Sequence, residues 1–227
     1  IYLAIGEGMR QGIPLYLSLH DNKPPLLYLT AAISGNLFIF KAILAFWNLL
    51  TVYGFWKLAK HLFPKNKTLQ NISTILFGLL TTLPLFEGNT VNAELFMITP
   101  IIFAFLLLLS KKNTVKNLIF SGVLFSLGAL YKIPAAFDIF AIIVYWIICL
   151  NWTKDTFVKE IINFIKRTFF LSLGFIIPIA LTFIWFYFSG SFKEYLTAAF
   201  LQNFGYVSSW RPSTQSLSFV EKNGPLL

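Results

Sequence analysis

Charge is scarce in this chain. Only 12% of its 227 residues are Asp, Glu, Lys or Arg, against roughly a quarter in a soluble domain. That shortage excludes water as the main solvent around the folded protein. Cysteine is scarcer still. Cys149 is the only one and lies inside an apolar run, so no disulfide within the chain and no Cys-based metal site can form. Acidic residues number nine against eighteen basic ones, for a formal charge of +9. In a soluble protein that balance would raise nucleic acid as a partner. Here the lysines sit in short clusters between apolar runs, which is the pattern of topology signals, and no nucleic-acid partner is expected. There is no repeat of fixed period and no low-complexity tract. No basic segment followed by an apolar signal region opens the chain. It starts at Ile1 and closes on a polar stretch, so it is expected to be an internal piece of something longer, cut at both ends.

What the chain has instead is apolar surface. Hydrophobic residues reach 57%, with 26 Phe and 6 Trp, a composition suited to lipid-facing helices with aromatic anchors at the interfaces. A helix that crosses a bilayer needs about 20 mostly apolar residues. Six segments qualify, at roughly 38–60, 71–87, 94–110, 117–132, 134–151 and 168–189. Pro134 separates the fourth from the fifth, because proline breaks a continuous helix. The expected fold is all-α: a polytopic membrane helix bundle of about six transmembrane helices in a single domain. Residues 1–37 form an outer loop, 38–189 the spans and 190–227 a second outer loop. Short helices at 1–12, 25–34 and 192–203 are too short to cross and are expected along the membrane surface. Pro24 and Pro25 suit the start of the second of these.

Orientation follows from the basic loops. Lys57, Lys60, Lys65 and Lys67 follow the first span. Lys111, Lys112 and Lys116 follow the third, and Lys154, Lys159, Lys166 and Arg167 follow the fifth. Alternating spans place these eleven of the eighteen basic residues on one side, which is therefore cytoplasmic. Both chain ends then face the periplasm or the cell exterior.

The outer side collects the unusual polar residues in four places. These are His20-Asp21-Asn22-Lys23-Pro24-Pro25, the stretch 87–94, Tyr131-Lys132, and Gln202-Asn203-Phe204-Gly205-Tyr206. Ionisable groups near a membrane interior are costly and call for a reason. Lys23 taken alone reads first as a cation snorkelling to headgroups. Held between Asp21-Asn22 and two prolines, it reads as a phosphate clamp. Lys132, beside Pro134, carries a weaker form of the same argument. Glu94 opens an apolar run and suits the positive end of a helix capped by Asn92, or a carboxylate facing a polar cleft. Asp138 is expected to pair with Lys132.

These residues resemble the GT-C glycosyltransferases, and within them the bacterial protein-mannosyltransferase-like and aminoarabinose-transferase-like enzymes. Gly12-Ile13-Pro14-Leu15-Tyr16 and Asp21-Asn22-Lys23-Pro24-Pro25-Leu26-Leu27-Tyr28 look like the family's first outer loop. Asn92-Ala93-Glu94-Leu95-Phe96 is similar to its second acidic position. Gly122 to Lys132 is similar to its glycine-to-lysine span, and Phe200-Leu201-Gln202-Asn203-Phe204 resembles its late outer loop. The likeness implies an enzyme that moves a sugar from a polyprenyl-phosphate carrier to a lipid, glycan or protein acceptor at the outer face of the cell membrane. It implies a carrier-phosphate contact for Lys23, with Lys132 and Arg10 as supporting cations, and active-site carboxylates at Glu94 and Asp21. His20, Asn22, Asn203 and Tyr206 would line the substrate cleft. The family's principal Asp would lie upstream of Ile1, so the chain alone is expected to be inactive. Relatives that bind a metal carry Glu and His where this chain has Asn22 and Asn203. Neutral amides are poor zinc ligands, so no metal and no other cofactor is expected, although a divalent ion would be compatible with the chemistry. A lipid or polysaccharide flippase is the alternative function. It would show inverted repeats and polar groups at the midplane, whereas here the polar groups gather on one side. A non-catalytic scaffold would need no such cluster.

Overall fold

The computed structural model describes residues 1–109, 114–150 and 157–202. Among them every regular element is helical: α1 (Tyr2–Arg10), α2 (Leu26–Ser34), α3 (Leu37–Leu62), α4 (Lys67–Thr82), α5 (Ala93–Leu109), α6 (Val115–Tyr131), α7 (Phe137–Ile148), α8 (Phe157–Phe188) and α9 (Phe192–Tyr195), which runs into a π-helical turn over Leu196–Leu201. The fold is an all-α membrane helix bundle.

Helix starts follow from local chemistry. The side chains of Asn36, Asn66, Asn92 and Thr114 each accept the N–H three residues on, at 2.9, 2.9, 3.1 and 3.2 Å, and so satisfy donors left open at the first turns of α3, α4, α5 and α6. Gly35 ends α2 with φ +72°, a left-handed conformation that glycine adopts at little cost. Pro84 ends the α4 region sooner than the sequence suggests. The helix stops at Thr82, and Pro84–Phe86 form a 3-10 turn.

Helices α3–α8 fall on the six apolar segments, and besides the early end of α4 the largest difference is at α8. α8 begins at Phe157, not near residue 168, because Lys159, Glu160, Lys166 and Arg167 continue the helix beyond its apolar part. Leu37–Leu62 and Phe157–Phe188 are long and apolar enough to cross a bilayer. Ala93–Leu109, Val115–Tyr131 and Ile133–Ile148 are apolar but shorter. Large apolar side chains remain exposed around the bundle, such as Phe38, Leu49, Ile148 and Phe188. An outer shell of this kind is stable in lipid and unstable in water.

α6 is the central helix, packed between α5 and α8, while α3 lies against α5 and α4 against α3. The α6–α8 contact is made by Gly122 and Gly174. A Cβ on either one would run into the other helix's backbone, so the backbones themselves touch. The α3–α5 contact is built around Pro100. Proline has no N–H for the carbonyl four residues back, which is that of Phe96. The Trp47 indole N–H donates to this carbonyl at 2.9 Å instead. Below it, the hydroxyls of Thr51 and Thr99 bond across the same interface.

The short helices form a cap on one end of the bundle. α1 packs on α2, and α2 rests on α3 and α6. Leu27, Tyr28 and Ala31 of α2 are fully buried. This helix is therefore a plug between α1 and the helix ends, not one lying open on a surface.

Candidate functional site

The loop joining α1 to α2 holds Lys23 by its backbone. Its N–H donates to the Tyr28 hydroxyl at 3.3 Å, and its carbonyl accepts from the Tyr16 hydroxyl at 2.6 Å. Pro24 and Pro25 follow it, both fully buried. Tyr16 is itself fixed, with its ring 5.2 Å from Phe186 of α8 and 5.3 Å from Tyr195 of α9. It adopts φ +70°, a strained conformation for a bulky residue that persists only where packing enforces it. Burial pushes the phenols of Tyr16 and Tyr28 well up, and the nearby Asp21 carboxylate adds to this. Both therefore stay protonated and remain hydrogen-bond partners. The Lys23 backbone is thus fastened to the bundle from two directions.

The side chain of Lys23 is half-buried, with its ammonium 5.0 Å above the ring of Tyr2. Burial pulls its pKa down, but the Tyr2 hydroxyl, Asp21 and Glu94 outweigh this and raise it above the ordinary lysine value. The cation is therefore held charged. Asp21 accepts the N–H of the next residue, Asn22, at 2.7 Å in the bend that leads to Lys23.

Glu94 stands in the first turn of α5, and its carboxylate bonds the ammonium of Lys132, which caps the far end of α6. Both side chains are half-buried. The pair is tied to the cap through Tyr131, whose hydroxyl lies 3.0 Å from that of Thr30 in α2. Beneath them Phe96 stacks on Tyr131 at 5.3 Å, with Phe40 and Trp47 on its other sides. The result is an aromatic floor under the charged groups.

The structure therefore brings Lys23, Asp21, Glu94 and Lys132 to one end of the bundle, with His20 and Asn22 exposed on the same loop. It does not bring Arg10 beside them. Arg10 is at the opposite end of α1 from Tyr2, paired with Glu7 and donating to the carbonyls of Ala32 at 3.0 Å and Gly35 at 3.2 Å. Its work is to close the C-terminal end of α2. The expected Asp138–Lys132 pair is corrected as well. Lys132 leaves α6 in an extended conformation, φ −154° and ψ 122°, and meets Glu94 of α5, while Asp138 begins a helix beyond the intervening 3-10 turn. Asn203 and Tyr206 lie outside the described residues. No three of His, Cys, Asp and Glu come together as a ligand set among the described residues.

Three tyrosines were not legible as site residues in the sequence. Tyr16 and Tyr28 hold the Lys23 backbone and Tyr2 lies under its ammonium. Only their place beside the Asp-Asn-Lys-Pro-Pro run signals them. Of the three nominated cations, Arg10 and Lys132 each bond a carboxylate, whereas Lys23 has no such partner among the described residues.

The sequence model of the family described as dolichyl-phosphate-mannose-protein mannosyltransferase matches residues 22–185, well over half of the chain. No curated protein matches. No solved structure matches either.

Proposed function

Since the chain belongs to the dolichyl-phosphate-mannose-protein mannosyltransferase family, a membrane glycosyltransferase family of the GT-C type, we propose that it takes part in moving a sugar from a polyprenyl-phosphate carrier to an acceptor at the outer face of the cell membrane. The observation that carries this reading is the half-buried ammonium of Lys23, held on a fixed backbone beside the Glu94–Lys132 pair and with no directly bonded carboxylate among the described residues.

When the bond from sugar to phosphate breaks, negative charge grows on the lipid phosphate. A cation whose backbone is already fastened stabilises that charge without reorganising. Lys23 supplies it. Lys132 acts through Glu94, holding the carboxylate in place between the ends of α5 and α6. An ammonium bonded to a carboxylate favours its ionised form and weakens it as a base. Glu94 is thus best suited to accept a hydrogen bond from a sugar or acceptor hydroxyl and so orient it. Asp21 lies in the bend that presents Lys23, and His20 and Asn22, exposed on the same loop, would line the substrate cleft.

Topology supports an outward site. At the other end of α3 the ammonium of Lys60 lies 3.3 Å from the Trp56 ring centroid, with Lys57 5.4 Å from the rings of both Tyr53 and Trp56. Such cation–aromatic sets suit a headgroup boundary, and basic excess marks the cytoplasmic side. The cap end then faces outward, and the six helices α3–α8 are the crossings.

The test is transfer of labelled sugar from polyprenyl-phosphate mannose in membranes expressing the complete gene. Glu94→Gln should lower turnover about tenfold or more while carrier binding stays within about twofold. Unchanged turnover would return Glu94 to helix capping alone.

A further inference from the structure

Two adjoining cavities, the first of them lined by Tyr2, are not used by the site described above. One, of about 320 Å³, is lined by Tyr2, Leu3, Phe40, Thr90 and Val91 among others. The second, of about 420 Å³, runs along α3 past Leu44, Ala45, Leu49 and Val52, with Gly88 on its far wall. They meet at Lys41 and Asn89, which line both.

Lys41 is an exposed cation at the start of a stripe that is apolar apart from the buried Asn48, and no carboxylate pairs with it among the described residues. From Lys41 to Val52 the stripe covers eleven helical steps, or about 16 Å. The arrangement from end to end is amphiphilic. The Lys23 ammonium lies over one side of Tyr2, a polar hollow follows, then a second cation, then a long apolar groove on a helix read as crossing the membrane. A ligand that matches it carries one anionic group and one long hydrocarbon chain.

We infer that the face of α3 from Lys41 to Val52 is the track for the isoprenoid chain of the donor's polyprenyl phosphate, with Lys41 as a second cation on its phosphate. The inference rests on the Lys23 reading above and extends it. Continuity argues for the donor over a bulk lipid, because Tyr2 lines the first cavity and also sits under Lys23.

The test compares binding of undecaprenyl phosphate with that of geranyl phosphate, a short analogue, to the protein in nanodiscs. Ala45 is exposed on the groove wall, so Ala45→Phe fills the track without disturbing the core. It should weaken undecaprenyl phosphate about tenfold and leave geranyl phosphate within about twofold. Lys41→Gln should weaken both about three- to tenfold. If Ala45→Phe spares both ligands while Lys23→Met weakens both, the track is wrong and the phosphate clamp stands. If Lys23→Met also spares both, the underlying reading falls. Equal displacement of undecaprenyl phosphate by phosphatidylglycerol would make the groove a general lipid contact and overturn the inference.

Discussion

Replacing Lys23 with Met keeps the length of the stem and removes one charge. The backbone bonds from Tyr16 and to Tyr28 do not depend on the side chain, so the loop should hold its shape. At about 4 Å and an effective permittivity of about 20, two unit charges attract by about 4 kcal/mol. Desolvation and side-chain ordering take back part of this, and hydrogen bonds to charged groups contribute about 1.5–3 kcal/mol net. Lys23 starts half-buried, above Tyr2 and without a directly bonded carboxylate among the described residues, so little of its freedom remains to be lost. The expected loss is therefore roughly 10- to 150-fold in Kd for a polyprenyl phosphate. Binding can be read by native mass spectrometry or by ligand-induced thermal shift in nanodiscs. Thermal stability without ligand should stay close to wild type. A Kd within about twofold of wild type, with the protein folded, would refute the phosphate-clamp argument.

Tyr16→Phe removes the hydroxyl that holds the Lys23 carbonyl and leaves the ammonium untouched; carrier affinity should fall about three- to tenfold, and no change would show that the backbone clamp is dispensable. Gly122→Leu puts a side chain into the backbone of α8 and should destabilise the bundle by more than about 3 kcal/mol, seen as loss of folded protein in detergent; a Tm equal to wild type would contradict the close crossing. Because the Lys23 pKa is raised, its contribution is complete below the usual 10.5 and is lost only as pH climbs through the shifted value. Binding measured from about pH 7 to about pH 11 should therefore stay level until the top of that range, and a lysine-dependent fall centred below about pH 9 would contradict the assignment.

Helix positions were legible because apolar runs of spanning length are hard to mistake and because Asn36, Asn66, Asn92 and Thr114 stand where caps belong. The end of α8 toward its loop was not legible. Charged residues extend a helix as readily as they end a span, so hydropathy marked the span and missed the eleven residues before it. The four charged groups Asp21, Lys23, Glu94 and Lys132 could be assigned to one side from topology alone. Their pairing could not, because it depends on the backbone direction at a single residue. Lys132 leaves α6 extended and so finds Glu94 and not Asp138. The family resemblance implied a phosphate contact for Arg10, yet two carbonyls at the end of α2 claim it. Lys41 carries no signal in the sequence, because one cation inside an apolar helix reads as noise until the two cavities it lines are seen.

The most direct test is cryo-electron microscopy of the protein in nanodiscs with polyprenyl-phosphate mannose bound. The account predicts the phosphate within hydrogen-bond reach of the Lys23 ammonium and the sugar on the Glu94 side of it. A headgroup seated among Lys57, Lys60 and Trp56 at the opposite end of α3 would contradict it.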